Sequence, residues 1–117
     1  LAKGRIDAAM MKTIMTLVDQ PMMPEEKLQM AEAALAKVEL PVILLAKGEA
    51  MGSLGQPADA VPVLRKALEL DGDIDVRTRI LLTLGMVDEA NRQAHLSAAV
   101  KLNGNLIAAA QAGMMLR

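Results

Sequence analysis

Few side chains in this chain are equipped for bond-making chemistry, and each has to be asked whether it has the neighbours it needs. His95 is the sole histidine. A histidine acting as general base needs an orienting acid and a reacting group within hydrogen-bond reach. Around His95 the sequence shows Ala90, Ala94 and Ala98 but no Ser–His–acid order, so it reads as a surface or partly packed residue. Asp71, Asp73 and Asp75 have the D-x-D-x-D opening of a calcium loop. Position twelve of such a loop needs a bidentate Glu, and Leu82 stands there, so the stretch reads as a solvated turn with Asp75 near a helix start. Methionines come as pairs, Met10-Met11, Met22-Met23 and Met114-Met115. Thioethers suit Cu(I), but neighbours on a helix point about 100° apart, which spoils chelation by a pair alone. They read instead as core or as a soft, partner-facing surface. Gly48, Gly52 and Gly55 do not open a helix after a strand, as phosphate binding would require. No catalytic, cofactor or metal residue is expected, and the chain reads as a non-enzyme.

Composition narrows the remaining functions. The chain has 117 residues, 53% of them hydrophobic, which suits one folded domain rather than a disordered tail. Its net charge of -1 supplies no field to attract nucleic acid, and without Phe, Tyr or Trp there is nothing for bases to stack on. With no Cys there are no disulfides or thiolate metal sites, and the compartment stays open between cytoplasm and periplasm. The longest apolar run, Pro41 to Ala46, is far short of the roughly 20 residues that a membrane span needs. No signal-peptide pattern follows Arg5 and Asp7, and the start at Leu1 reads as a segment of a longer, bacterial-style protein. The 10 Met, with Leu and Ala, must fill a core that has no rings.

Helical periodicity runs through nearly every segment, and no strand alternation interrupts it. A first helix has Ile6, Met10, Ile14 and Leu17 on one face and ends at Pro21. A second opens at Pro24, with Glu25 and Glu26 at its positive end, and carries Leu28, Ala31, Leu35 and Val38. A third runs from Pro41 to about Ser53, with Leu44, Gly48 and Met51 on one side. A fourth carries Val61, Leu64, Ala67 and Leu68. Pro62 is tolerated best in a first turn, which points to Asp59 as N-cap, whereas a start at Pro57 would imply a kink. A stop follows at Asp71-Gly72-Asp73. A fifth helix spans about Ile74 to Leu84, Gly85 turns the chain, and a sixth spans about Val87 to Leu102 with an Ala90, Ala94, Ala98, Leu102 stripe. A seventh is expected over residues 106–116. The fold class is all-α, with about seven helices.

Two stretches repeat. Ala67-Leu68-Glu69-Leu70-Asp71-Gly72-Asp73 matches Ala99-Val100-Lys101-Leu102-Asn103-Gly104-Asn105 at a spacing of 32, and Leu54-Gly55 matches Leu84-Gly85 at 30. Such a period is that of a solenoid. Counted from Pro41, Leu44, Gly48, Met51, Gly55, Ala60, Leu64 and Ala67 alternate large, small and turn residues as helix pairs in close approach require. With these residues, the stretch from Pro41 to Asp73 resembles a tetratricopeptide repeat. Departures are the Gly72 that stands for the family's usual Pro, and Met51 and Leu64 at its aromatic positions. The resemblance covers about two thirds of the chain and divides it into a divergent helix pair (1–40), the clearest repeat (41–73), a degenerate repeat (74–105) and a terminal helix (106–117). It implies a right-handed superhelical stack of antiparallel helix pairs.

It also implies a function. The first helices of such pairs line a concave face that commonly binds peptides. Carried over, that face would hold Leu45, Glu49, Gly52 and Ser53 of the third helix, Asp75, Arg79 and Thr83 of the fifth, and Gln111 with Met115 of the last. Arg79 has a local alternative, a pair with Asp75 one turn earlier. In heat-shock members of the family, basic and Asn side chains clamp a terminal carboxylate; Leu45 and Glu49 occupy key positions here, so that specificity is not implied. The leading expectation is a protein-protein interaction module, a scaffold that holds a peptide or helix of a partner. The alternatives are self-association through apolar end helices, Met114, Met115 and Leu116 being poor caps, and an accessory domain of a larger enzyme.

Overall fold

Proline sets the rhythm of this fold. Pro24, Pro41 and Pro57 each stand in the first turn of a helix, where a missing N–H costs nothing and φ is already helical. The computed structural model describes residues 8–70 and 73–102. Within them lie α1 (Ala8–Asp19), α2 (Pro24–Leu35), α3 (Pro41–Ser53), α4 (Pro57–Glu69), α5 (Ile74–Val87) and α6 (Arg92–Leu102), with a 3₁₀ turn at Glu89–Asn91. There is no strand among the described residues, and none of their helices is long and apolar enough to cross a membrane. The expected stop at Asp71-Gly72, the Asn103-Gly104-Asn105 turn and the seventh helix over 106–116 lie outside the described residues.

The start of the fourth helix, the end of the fifth and the packed face of the sixth differ from expectation. The fourth helix starts at Pro57 rather than after an Asp59 cap, and it carries Pro62 inside it. Ala58, whose carbonyl loses the bond that Pro62 cannot donate, and Pro62 itself are both exposed, so water can serve that carbonyl. Gly85 does not turn the chain. It is buried within α5, which continues to Val87 and ends at Asp88. The Leu54-Gly55 and Leu84-Gly85 match is thus one of letters: Gly55 holds a left-handed turn at φ 78, while Gly85 sits where a helix crosses another. The expected Ala90, Ala94, Ala98, Leu102 stripe is not the packed face either. Ala90 and Ala94 are exposed, and Leu96 and Ala99 are the buried pair of α6.

Among the described residues the core forms three adjoining clusters. Met10, Leu17, Ala31 and Ala34 gather around Ile43 and Ala46 of α3. The opposite side of α3 gives Leu44 and Leu45 to a second cluster with Ala60, Leu64, Ala67, Ile80 and Leu84. Leu96 and Ala99 make a third, which Leu81 and Leu82 cover. Being apolar nearly all round, α3 is the most buried of the described helices. Close approaches join consecutive helices. A Cβ at Gly48 would lie 2.5 Å from Leu64 Cδ2, and one at Gly85 would lie 2.6 Å from Leu96 Cδ2.

The order of packing follows. α3 lies against α4 and α5 against α6 most extensively, and α2 lies against α3. Odd helices also touch one another, α1 with α3 and α3 with α5, whereas no Cα of α2 comes within 8 Å of α4, nor any of α4 within 8 Å of α6. The odd helices therefore form one continuous layer, with the even helices set apart on it.

Candidate functional site

An open cleft of about 650 Å³ lies where the odd and even helices meet at their ends. That volume is within the roughly 300–1,000 Å³ usual for ligand sites. Met22, Pro24 and Lys27 bring the N-terminal end of α2 to it, and Pro57 that of α4. Ser53 and Val87 bring the C-terminal ends of α3 and α5. Helix starts from even elements and helix ends from odd ones share one rim because consecutive helices run in opposite directions. Gly52 and Gly55 keep the floor low, and Met86 stands at the edge with 62% of its surface exposed.

A row of charges crosses three helices here. Lys27 Nζ donates to Glu49 Oε1 at 3.0 Å, and Arg79 NH2 lies 3.6 Å from Glu49 Oε2. One carboxylate thus lies between two cations, leaving a local surplus of one positive charge. Lys27 spends one of its three donors on Glu49, and the Arg79 guanidinium is near Glu49 by charge without a hydrogen bond, so both keep donors to offer. Partly exposed pairs of this kind add only about 0.2–1 kcal/mol to stability, so the row does more to set the charge of the surface than to hold the fold.

The residues expected on a concave face part company. Glu49, Gly52, Ser53 and Thr83 come together along the cleft. Arg79 flanks it through Glu49 and does not pair with Asp75, which is exposed at the start of α5. Leu45 does not line it: at 2% exposure it is core, wedged among Leu64, Ile80 and their neighbours. Since α3 is covered on almost every side, a position read as outward-facing turned inward. Thr83 shows only 8% of its surface, and its hydroxyl donates to the Arg79 carbonyl at 2.8 Å. Gln111 and Met115 lie outside the described residues. Lys27, Met22 and Met86 were not anticipated; the only local signal for Lys27 was a lone cation after two glutamates.

No protein-family model matches this chain, and no curated protein and no solved structure matches it. No group of three or more His, Asp or Glu side chains among the described residues could hold a metal ion. The cleft does offer flexible thioethers, backbone exposed at glycines and one ionic row.

A second polar cluster sits at the α5–α6 junction. Asp88 Oδ2 lies 2.9 Å from His95 Nε2, accepts from Asn91 Nδ2 at 3.1 Å and lies 3.6 Å from Arg65 NH2. The bond to His95, then that to Asn91, holds the Asp88 carboxyl below the usual carboxylate range, and the Arg65 charge adds a little. This carboxylate links Arg65 of α4 to His95 of α6, two helices whose Cα atoms do not come within 8 Å of each other. His95, expected to be on the surface or partly packed, is half-buried and serves this tie.

Proposed function

We propose that this chain is a tetratricopeptide-like stack of helix pairs that binds a peptide or helix of a partner protein in the cleft beside α3 and α5. The observation that carries this reading is the cleft itself. Its wall is apolar and adaptable at Met22, Met86 and Val87, and a hydrogen-bonded charge pair marks one side at Lys27 and Glu49. Methionine-rich walls repack around differing side chains, and a fixed charge sets orientation. The solenoid reading is supported by the layer of odd helices and by Gly48 receiving Leu64, at the positions that the family keeps small and large.

The test is selection of peptides from a random display library on the wild-type chain. Arg79→Glu and Met86→Lys change exposed or half-exposed side chains and should leave helicity intact. Each is expected to weaken the selected peptides by roughly tenfold, equal to about 1.4 kcal/mol. Unchanged affinity in both variants would refute the cleft as the site. Self-association is the second reading, favoured by Met11 and Met15, exposed one turn apart on α1.

A further inference from the structure

We propose that Met86 is an oxidant-sensitive modification site, at which peroxides convert the apolar rim of the cleft into a polar one. The chain has no Cys, Trp or Tyr. Thioether sulfur is then the side-chain group most open to two-electron oxidation, and exposure ranks one methionine against another. Met86 at 62% and Met23 at 61% are the most accessible of the described methionines, while Met10 shows 6% and Met30 and Met51 pack against core clusters. Of the two accessible ones, only Met86 lines the cleft, alongside Met22 and Val87.

The step balances without help from the protein. The Met86 sulfur attacks one peroxide oxygen, the O–O bond breaks, and an S–O bond forms. The second oxygen takes up the proton and leaves as water, so that sulfur loses two electrons and peroxide gains them. The product is a polar, chiral sulfoxide in place of a flexible apolar side chain, and methionine sulfoxide reductases reverse it. Thr83, the polar neighbour on the preceding turn, already gives its hydroxyl proton to the Arg79 carbonyl and has none left for the new oxygen. An apolar side chain laid over an oxidised rim would have to strip water from a polar oxygen to which Thr83 offers no proton, which is unfavourable.

This inference rests on the cleft's geometry and on no bound peptide, so its failure and that of the peptide reading are separable. The experiment exposes the whole chain, labelled with ¹³C at the methionine methyl groups, to graded hydrogen peroxide. Peptide mapping by mass spectrometry follows each methionine while the methyl resonances are recorded. Met86 is expected to oxidise several-fold faster than Met10, Met30 and Met51. The Met22 resonance should move in step with Met86 oxidation, the thermal midpoint should hold, and sulfoxide reductase should restore the starting spectrum. In Met86→Leu the early Met22 shift should vanish. Oxidation of Met86 no faster than that of Met10 would overturn the proposal. So would a Met22 resonance that ignores Met86, a shift that survives in Met86→Leu, or a thermal midpoint that falls with it.

Discussion

Asp88 gathers two hydrogen bonds and one cation from three elements onto one carboxylate, and the arrangement has a pH signature. Its carboxyl is held below the usual range, first by His95 and then by Asn91. A group whose folded-state pKa is lowered stabilises the fold above its unfolded pKa, near 3.9 for Asp, and loses that contribution as pH falls through the folded value. Asp88→Asn keeps the shape and removes the charge. It should lower the thermal midpoint near neutral pH, and the gap to wild type should close as the pH is taken below the ordinary carboxylate range. Melting curves recorded from neutral to acid pH check this, and a gap that stays constant throughout would dissociate the effect from Asp88 ionisation. None of this was readable along the chain. His95 is seven residues from Asp88, and Arg65 belongs to another helix, so only the irregular turn at Glu89–Asn91 brings them together.

Between helices, two glycines set the distance of approach. Gly48 admits Leu64 so closely that a Cβ would meet Leu64 Cγ at 2.6 Å, and Gly85 admits Leu96 in the same way, with 2.8 Å to Leu96 Cγ. Gly48→Leu should destabilise the domain by about 1–3 kcal/mol from overpacking, partly offset by the roughly 0.8 kcal/mol that a helix gains on losing a glycine. Leu64→Ala alone should cost about 2–5 kcal/mol through the cavity it leaves. Combined, the two should destabilise by less than their sum, because each relieves the fault of the other. Denaturant melts of the four chains measure that coupling, and strict additivity would mean that Gly48 and Leu64 do not meet. The Gly48–Leu64 pairing was legible in the large-and-small alternation after Pro41. The Gly85–Leu96 pairing was not, because Leu84-Gly85 repeats the letters of a turn and only burial within α5 shows it to be a crossing point.

On the scale of all the described residues, neighbouring helices pack on one another around three core clusters, and the odd helices touch in one layer, the arrangement on which the proposed stack of pairs rests. The ends of such a stack are where a second copy would add itself. Met11 and Met15 on α1 are the exposed apolar pair at one end. If self-association is the role, light scattering over a dilution series should show a dimer that dissociates, and Met11→Lys with Met15→Lys should abolish it. A mass equal to one chain at every concentration would leave the peptide cleft as the better-supported role.

The sequence by itself determined the all-helical class, the proline-led helix starts at Pro24 and Pro41, and the small residue at Gly48 where one helix closely approaches another. These are local properties: period, proline geometry and residue size act within a few turns of the chain. Tertiary structure alone decided that Leu45 is core, that Arg79 turns to Glu49 rather than to Asp75, and that Lys27 joins them from 22 residues away. Helical periodicity specifies which face of a helix is buried only when one face is apolar, and α3 is apolar nearly all round. For such a helix the outward direction is set by which neighbours cover it, and that depends on how all the pairs stack at once.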